Sequence, residues 1–114
     1  MHEMAITQSV VDMVVERTAG RRVTCVRLEV GRLSGVVADA LRFCFDLATA
    51  DTSLEGAELA IDETVGRATC RTCGDEFEVN DLILLCPCGS ADVHILTGRE
   101  LRVASVEMEE RPCA

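Results

Sequence analysis

Two stretches of helical periodicity, three of strict alternation and four cysteines gathered between Cys70 and Cys88 predict an α+β fold. The expected architecture is two helices packed on a small mixed three-stranded sheet, with an inserted zinc-ribbon-like lobe. Residues 68–96 are assigned to the lobe, and residues 1–67 and 97–114 to the α/β domain around it. A chain of 114 residues has room for one modest core and a small metal-pinned extension.

The first element is a helix from Met4 to Ala19. Ile6, Val10, Met13 and Val14 follow helical spacing, Gln8, Asp12 and Glu16 lie opposite, and Gly20 stands where a C-cap belongs. Val11 and Val15 widen the apolar face, which suits burial against a sheet. Arg22 to Val30 then alternate, Val26, Leu28 and Val30 on one side and Cys25, Arg27 and Glu29 on the other, as a half-buried strand does. Gly31 and Gly35 bracket a turn. A second helix is expected from Val37 to Thr49, with Leu41, Cys44, Phe45 and Ala48 as its core stripe. Cys44 reads as a small buried hydrophobe, and Asp39 faces the helix dipole from the first turn.

Asp51 to Gly56 form a loop, and Ala57 to Val65 a second strand, with Leu59, Ile61 and Glu63 alternating against Ala60 and Asp62. After Gly66 the cysteine segment begins, where Phe77, Val79 and the run Leu82 to Leu85 are the available core. Val93 to Leu96 lead out of the lobe, Thr97-Gly98 turn, and Glu100 to Met108 make a last strand that includes Leu101 and Val103. The tail from Glu109 reads as frayed, and Cys113 within it as incidental.

The lobe's chemistry rests on Cys-Arg-Thr-Cys-Gly at 70–74 and Cys-Pro-Cys-Gly at 86–89. Two thiolate pairs on tight turns can converge tetrahedrally on one Zn²⁺, and a glycine after each pair lets the backbone turn beneath the sulfurs. A redox dithiol at Cys70 and Cys73 would need a helix after the motif, and Gly-Asp-Glu-Phe-Glu-Val alternates like a strand instead. Two disulfides would need an oxidising compartment, and the start Met-His-Glu-Met has neither the basic region nor the apolar run of an export signal. Structural zinc at Cys70, Cys73, Cys86 and Cys88 is therefore the expected state, with the chain in the cytoplasm. Such a site stabilises a small lobe by about 10–16 kcal/mol, far more than its few apolar side chains can.

A formal charge of −9 and the absence of Tyr and Trp argue against a nucleic-acid partner. The longest apolar run is too short to span a bilayer. With no Gly-rich phosphate loop, no Ser-His-Asp set and only His2 and His94 as histidines, the chain does not read as an enzyme.

The N-terminus offers a second metal chemistry. His2 is bulky, so Met1 is expected to keep its free amine. That amine and the His2 backbone nitrogen would close a five-membered chelate ring. The same nitrogen and the His2 ring Nδ1 would close a six-membered one, and Glu3 adds a further nitrogen or a carboxylate. Such a set suits Ni²⁺ or Cu²⁺ in square-planar geometry and weakens as pH falls. A histidine near a chain start is more often just a solvated side chain, and residue chemistry alone favours that reading over a metal site.

Met1-His2-Glu3-Met4 opening an amphipathic helix, the strand Arg27-Leu28-Glu29-Val30-Gly31, the paired cysteines with Cys86-Pro87-Cys88-Gly89-Ser90, and Gly98-Arg99-Glu100-Leu101 together resemble the HypA/HybF family of hydrogenase nickel-incorporation proteins. The resemblance covers nearly the whole chain. It implies a nickel metallochaperone that delivers Ni²⁺ to the large subunit of a [NiFe]-hydrogenase, acting with the GTPase HypB as a monomer or homodimer. It also implies nickel held by Met1, His2 and Glu3, and structural zinc held by Cys70, Cys73, Cys86 and Cys88. The second cysteine pair departs from the family's usual Cys-Pro-x-Cys by one missing residue. If that shortening moves Cys88 out of reach, His94 or a cysteine of a second chain becomes the fourth ligand. The competing reading is a zinc-ribbon adaptor with no exchangeable metal, and a thiol oxidoreductase using Cys70 and Cys73 is a third.

Overall fold

The computed structural model describes residues 3–80 and 83–109. Their order is α1 (Glu3–Arg17), β1 (Val23–Gly31), α2 (Ala38–Thr49), β2 (Glu58–Thr64), β3 (Gly66–Cys70), β4 (Glu76–Val79), β5 (Val93–Thr97) and β6 (Leu101–Met108). This is the expected α+β fold. The strands form two three-stranded sheets, one ordered β2-β1-β6 and the other β4-β3-β5. Two compact units result. The first takes the described residues up to Leu28, Val36–Ile61 and those from Val103 on; the second takes Glu29–Gly35 and the described residues of Asp62–Arg102.

In the first unit α1 packs against α2, and the core gathers Val11 and Val14, Val23, Val26 and Leu28, Leu41 and Phe45, Leu54 and Leu59. The buried stripe of α1 is Thr7, Val11 and Val14, while Ile6, Val10 and Met13 are half-buried. It is rotated from the one the apolar residues mark because Thr7 takes a core position. Its hydroxyl, 3.0 Å from the carbonyls of both Glu3 and Met4, donates back into the helix and is satisfied without water. On α2, Leu41 and Phe45 are buried as expected; Thr49 completes the stripe, and Cys44 and Ala48 are only half-buried. Main-chain bonds from Val23 N–H to Ser53 and from Glu109 N–H to Arg22 tie β1 to the loop before β2 and to the end of β6.

The second unit is built on β3, which pairs antiparallel with β4 on one side and β5 on the other. No strand was expected over 66–70. Gly66, Ala68 and Cys70 do alternate with Arg67 and Thr69, but the inward residues are too small to carry a hydrophobic signal. The unit's core is Leu33, Ala68 and Val79, with Phe77, Leu84, Val93 and Ile95 packed around them. Within the apolar run only Leu84 joins this cluster; Ile83 and Leu85 are exposed, and Leu82 lies outside the described residues.

Leu33 enters from the connection between β1 and α2, and three glycines let it in. A Cβ on Gly66 would stand 2.5 Å from the Val79 carbonyl and 2.7 Å from Leu33 Cδ1; one on Gly98 would meet Gly66 Cα at 2.7 Å; one on Gly31 would overlap the Gly98 carbonyl. Main-chain bonds from Leu33 N–H to Gly98 and from Gly31 N–H to Glu100, each 2.7 Å, and from Arg32 N–H to Thr64, 3.0 Å, stitch the connection in place. Among the described residues, no helix is long and apolar enough to cross a membrane.

Candidate metal centre

Cys70 is the last residue of β3, and the chain turns back toward β4 immediately after it. That turn is closed by Gly74 N–H donating to the Cys70 carbonyl at 2.9 Å and Cys70 N–H donating to Asp75 at 2.8 Å. The second loop is closed in the same way, Gly89 N–H to the Cys86 carbonyl at 2.8 Å and Cys86 N–H to Ser90 at 2.9 Å. Gly74 and Gly89 both take positive φ, 80° and 94°, a backbone that residues with a Cβ rarely adopt.

These loops bring the four predicted sulfurs together, all within 4.8 Å of one another. Cys70 Sγ lies 3.8 Å from Cys88 Sγ, and Cys73 Sγ 3.5 Å from Cys86 Sγ. A tetrahedron of thiolates at zinc–sulfur bonds of about 2.3 Å has edges of about 3.8 Å, so the donor set fits a zinc-sized ion. The shortened second pair still places Cys88 within this group. It also keeps a bond of the kind the first loop has: Cys88 N–H points at Cys86 Sγ at 3.5 Å, as Cys73 N–H does at Cys70 Sγ at 3.4 Å. His94 is exposed on β5 opposite Thr69 and is not one of the four.

Cys70 and Cys86 are only 2% and 4% exposed, while Cys73 and Cys88 are open to solvent. The electrostatics divide the thiols. The N–H of Cys73 favours the Cys70 thiolate and lowers its pKa to about 6. Cys86 receives the Cys88 N–H, yet burial and the three neighbouring sulfurs outweigh it and push its pKa up to about 12. A bound cation would displace the protons that the cluster still holds.

Around the sulfurs lies a polar fringe that cysteine spacing does not reveal. Thr72 Oγ1 and Ser90 Oγ are hydrogen-bonded at 2.9 Å, and Asp92 N–H donates to Ser90 Oγ at 3.1 Å. Arg71 N–H donates to the Asp92 carbonyl at 2.9 Å, and the Arg71 guanidinium pairs with the Asp92 carboxylate at 3.2 Å. The signal in the sequence is only a hydroxyl inside the first cysteine pair and another after the second.

Of the predicted N-terminal set, Met1 and His2 lie outside the described residues. Glu3 opens α1, and its Oε2 is buried with no hydrogen-bond partner among the described residues. A buried carboxylate oxygen without a donor is costly unless a cation approaches it.

Two helices, two small sheets and four convergent thiols define a small α+β protein of the metal-binding class. Residues 1–108 match the family described as "Hydrogenase/urease nickel incorporation, metallochaperone, hypA". The hydrogenase maturation factor HypA of Geobacter metallireducens is 51% identical over 110 residues, which cover 96% of this chain and 100% of that protein. That of Nostoc punctiforme is 46% identical, covering 96% and 97%. The chain belongs to the HypA family. Its fold is shared with the solution structure of the Ni metallochaperone HypA from Helicobacter pylori, with a TM-score of 0.63 at 23% identity and coverage of 95% and 97% of the two chains.

Proposed function

We propose that this chain is a nickel carrier that takes up Ni²⁺ at its N-terminus and hands it to the large subunit of a [NiFe]-hydrogenase, with the GTPase HypB as partner. It works in the cytoplasm and catalyses no reaction of its own. The family match over residues 1–108, which includes Met1-His2-Glu3, carries the reading. The buried Oε2 of Glu3, which has no hydrogen-bond partner among the described residues, supports it, since that carboxylate begins α1 directly after His2 in the sequence. The Met1 amine, the His2 backbone nitrogen and imidazole, and Glu3 are the donors. A site made by a chain end exchanges ligands easily, which a carrier needs in order to release its cargo.

Zinc is the resident ion of the lobe at residues 68–96, held by Cys70, Cys73, Cys86 and Cys88. Sulfur separations of 3.5 and 3.8 Å support that ligand set. When bound, the ion supplies a closed structural cross-link and no open coordination position for chemistry. On this reading the nickel site belongs to the unit that holds both helices, and the lobe offers a docking surface to a partner.

Calorimetric Ni²⁺ titration of the untagged, zinc-loaded chain tests the carrier reading. One tight nickel is expected for the wild type and none at that strength for His2→Ala or for a variant extended by one N-terminal residue. Equal binding by all three would remove the N-terminal site and favour a zinc-ribbon adaptor.

A further inference from the structure

We propose that Thr72 and Ser90 are positioning residues for the metal: their hydroxyl–hydroxyl bond latches one cysteine loop to the other and slows the departure of a bound ion. The inference rests on the four-thiolate zinc reading. It adds a kinetic role for two residues that are not ligands.

Each cysteine loop is tied to itself. The bonds from Cys73 N–H to Cys70 Sγ and from Cys88 N–H to Cys86 Sγ stay within one loop. Apart from the sulfurs, the Thr72–Ser90 contact is a side-chain hydrogen bond that joins the interior of the first loop to the foot of the second. Ser90 is well anchored for this purpose. Its carbonyl accepts Cys86 N–H, and its hydroxyl oxygen accepts Asp92 N–H, which fixes the Oγ that Thr72 meets. Arg71 N–H also joins the loops through the Asp92 carbonyl, 2.9 Å away, but that main-chain bond lies on the side of Cys70, and the Arg71–Asp92 ion pair, 59% and 61% exposed, adds little on its own.

The latch is placed where release begins. Cys73 and Cys88 are the exposed sulfurs, and Cys70 and Cys86 are buried. A chelator or competing thiol therefore reaches Cys73 or Cys88 first. Thr72 directly precedes Cys73, and Ser90 follows Cys88 by one glycine. When one exposed sulfur lets go, a closed latch keeps it beside the ion, so recapture is intramolecular and outcompetes the chelator. With the latch open, the Cys73 and Cys88 ends of the loops move apart more readily and the second sulfur follows.

The test is the rate at which the zinc-loaded full chain loses its metal to excess EDTA. Thr72→Val, which keeps the shape and removes the hydroxyl, and Ser90→Ala should each release zinc about two- to tenfold faster than wild type, the range one net hydrogen bond commands. The double variant should be no faster than Ser90→Ala alone, which already removes the Thr72 bond together with the one from Asp92 N–H. Thr72→Ser should restore the wild-type rate. Co²⁺-substituted samples of all variants should keep the tetrahedral four-thiolate absorption spectrum, which shows an unchanged ligand set and a folded lobe. Release at the wild-type rate in both single variants overturns the latch. So does a double variant whose acceleration is the product of the two singles. A wild type that binds neither Zn²⁺ nor Co²⁺ overturns the zinc reading itself, and the latch with it.

Discussion

Leu33 is 7% exposed and is the largest of the three buried residues of its cluster, beside Ala68 and Val79, so it supplies much of the apolar volume beneath β3. Leu33→Ala should therefore cost about 2–5 kcal/mol, with little opportunity for collapse because Gly66 and Gly98 have no side chains to move in. Urea unfolding of the metal-loaded protein would measure it, and a loss under 1 kcal/mol would deny Leu33 that role. Nothing in the sequence marks this residue: one leucine between Gly31 and Gly35 has no period to belong to, and a turn is the natural reading. Thr7 was hidden for a different reason, since only the carbonyls of Glu3 and Met4 make a buried hydroxyl tolerable there. The cysteines, by contrast, were legible as a ligand set because spacing and tight turns dictate where their sulfurs go.

Among the elements, the two cysteine loops carry the clearest pH dependence. Near neutral pH without metal, Cys70, with its pKa lowered to about 6, is mostly ionised, while Cys86, raised to about 12, keeps its proton. Binding a cation must expel that proton, so affinity rises with pH and falls as the solution is acidified. The fall should steepen below about pH 6, where Cys70 begins to bind a proton as well. Competition titration with a chromophoric chelator across pH 5.5 to about 8 would show it; a flat profile would mean that the thiols are not the ligands. The helices and the strands β1, β2 and β6 were legible because their apolar residues repeat at 3.6 or 2 along lengths of seven residues or more. β3 has five residues, with Gly and Ala inward, and its identity comes from the partners on either side of it.

For the whole molecule, the division into two units sets what metal removal should do. Both helices belong to the first unit, whose core contains none of the four clustered cysteines. Chelation at neutral pH should therefore leave helical circular dichroism nearly unchanged, while amide protection collapses in β3, β4 and β5. Loss of helix in step with metal would show that the units are not separately stabilised. The formal charge of −9 adds solubility without pointing to a nucleic-acid partner, in line with a carrier that meets other proteins.

The Leu33 junction also bears on the order of events during synthesis. Leu33 leaves the ribosome well before Cys70, and Gly98, whose carbonyl holds the Leu33 amide, leaves only after Cys88. All four thiols are therefore made before the residue whose carbonyl clasps the Leu33 amide, so the apolar support of β3 is completed last.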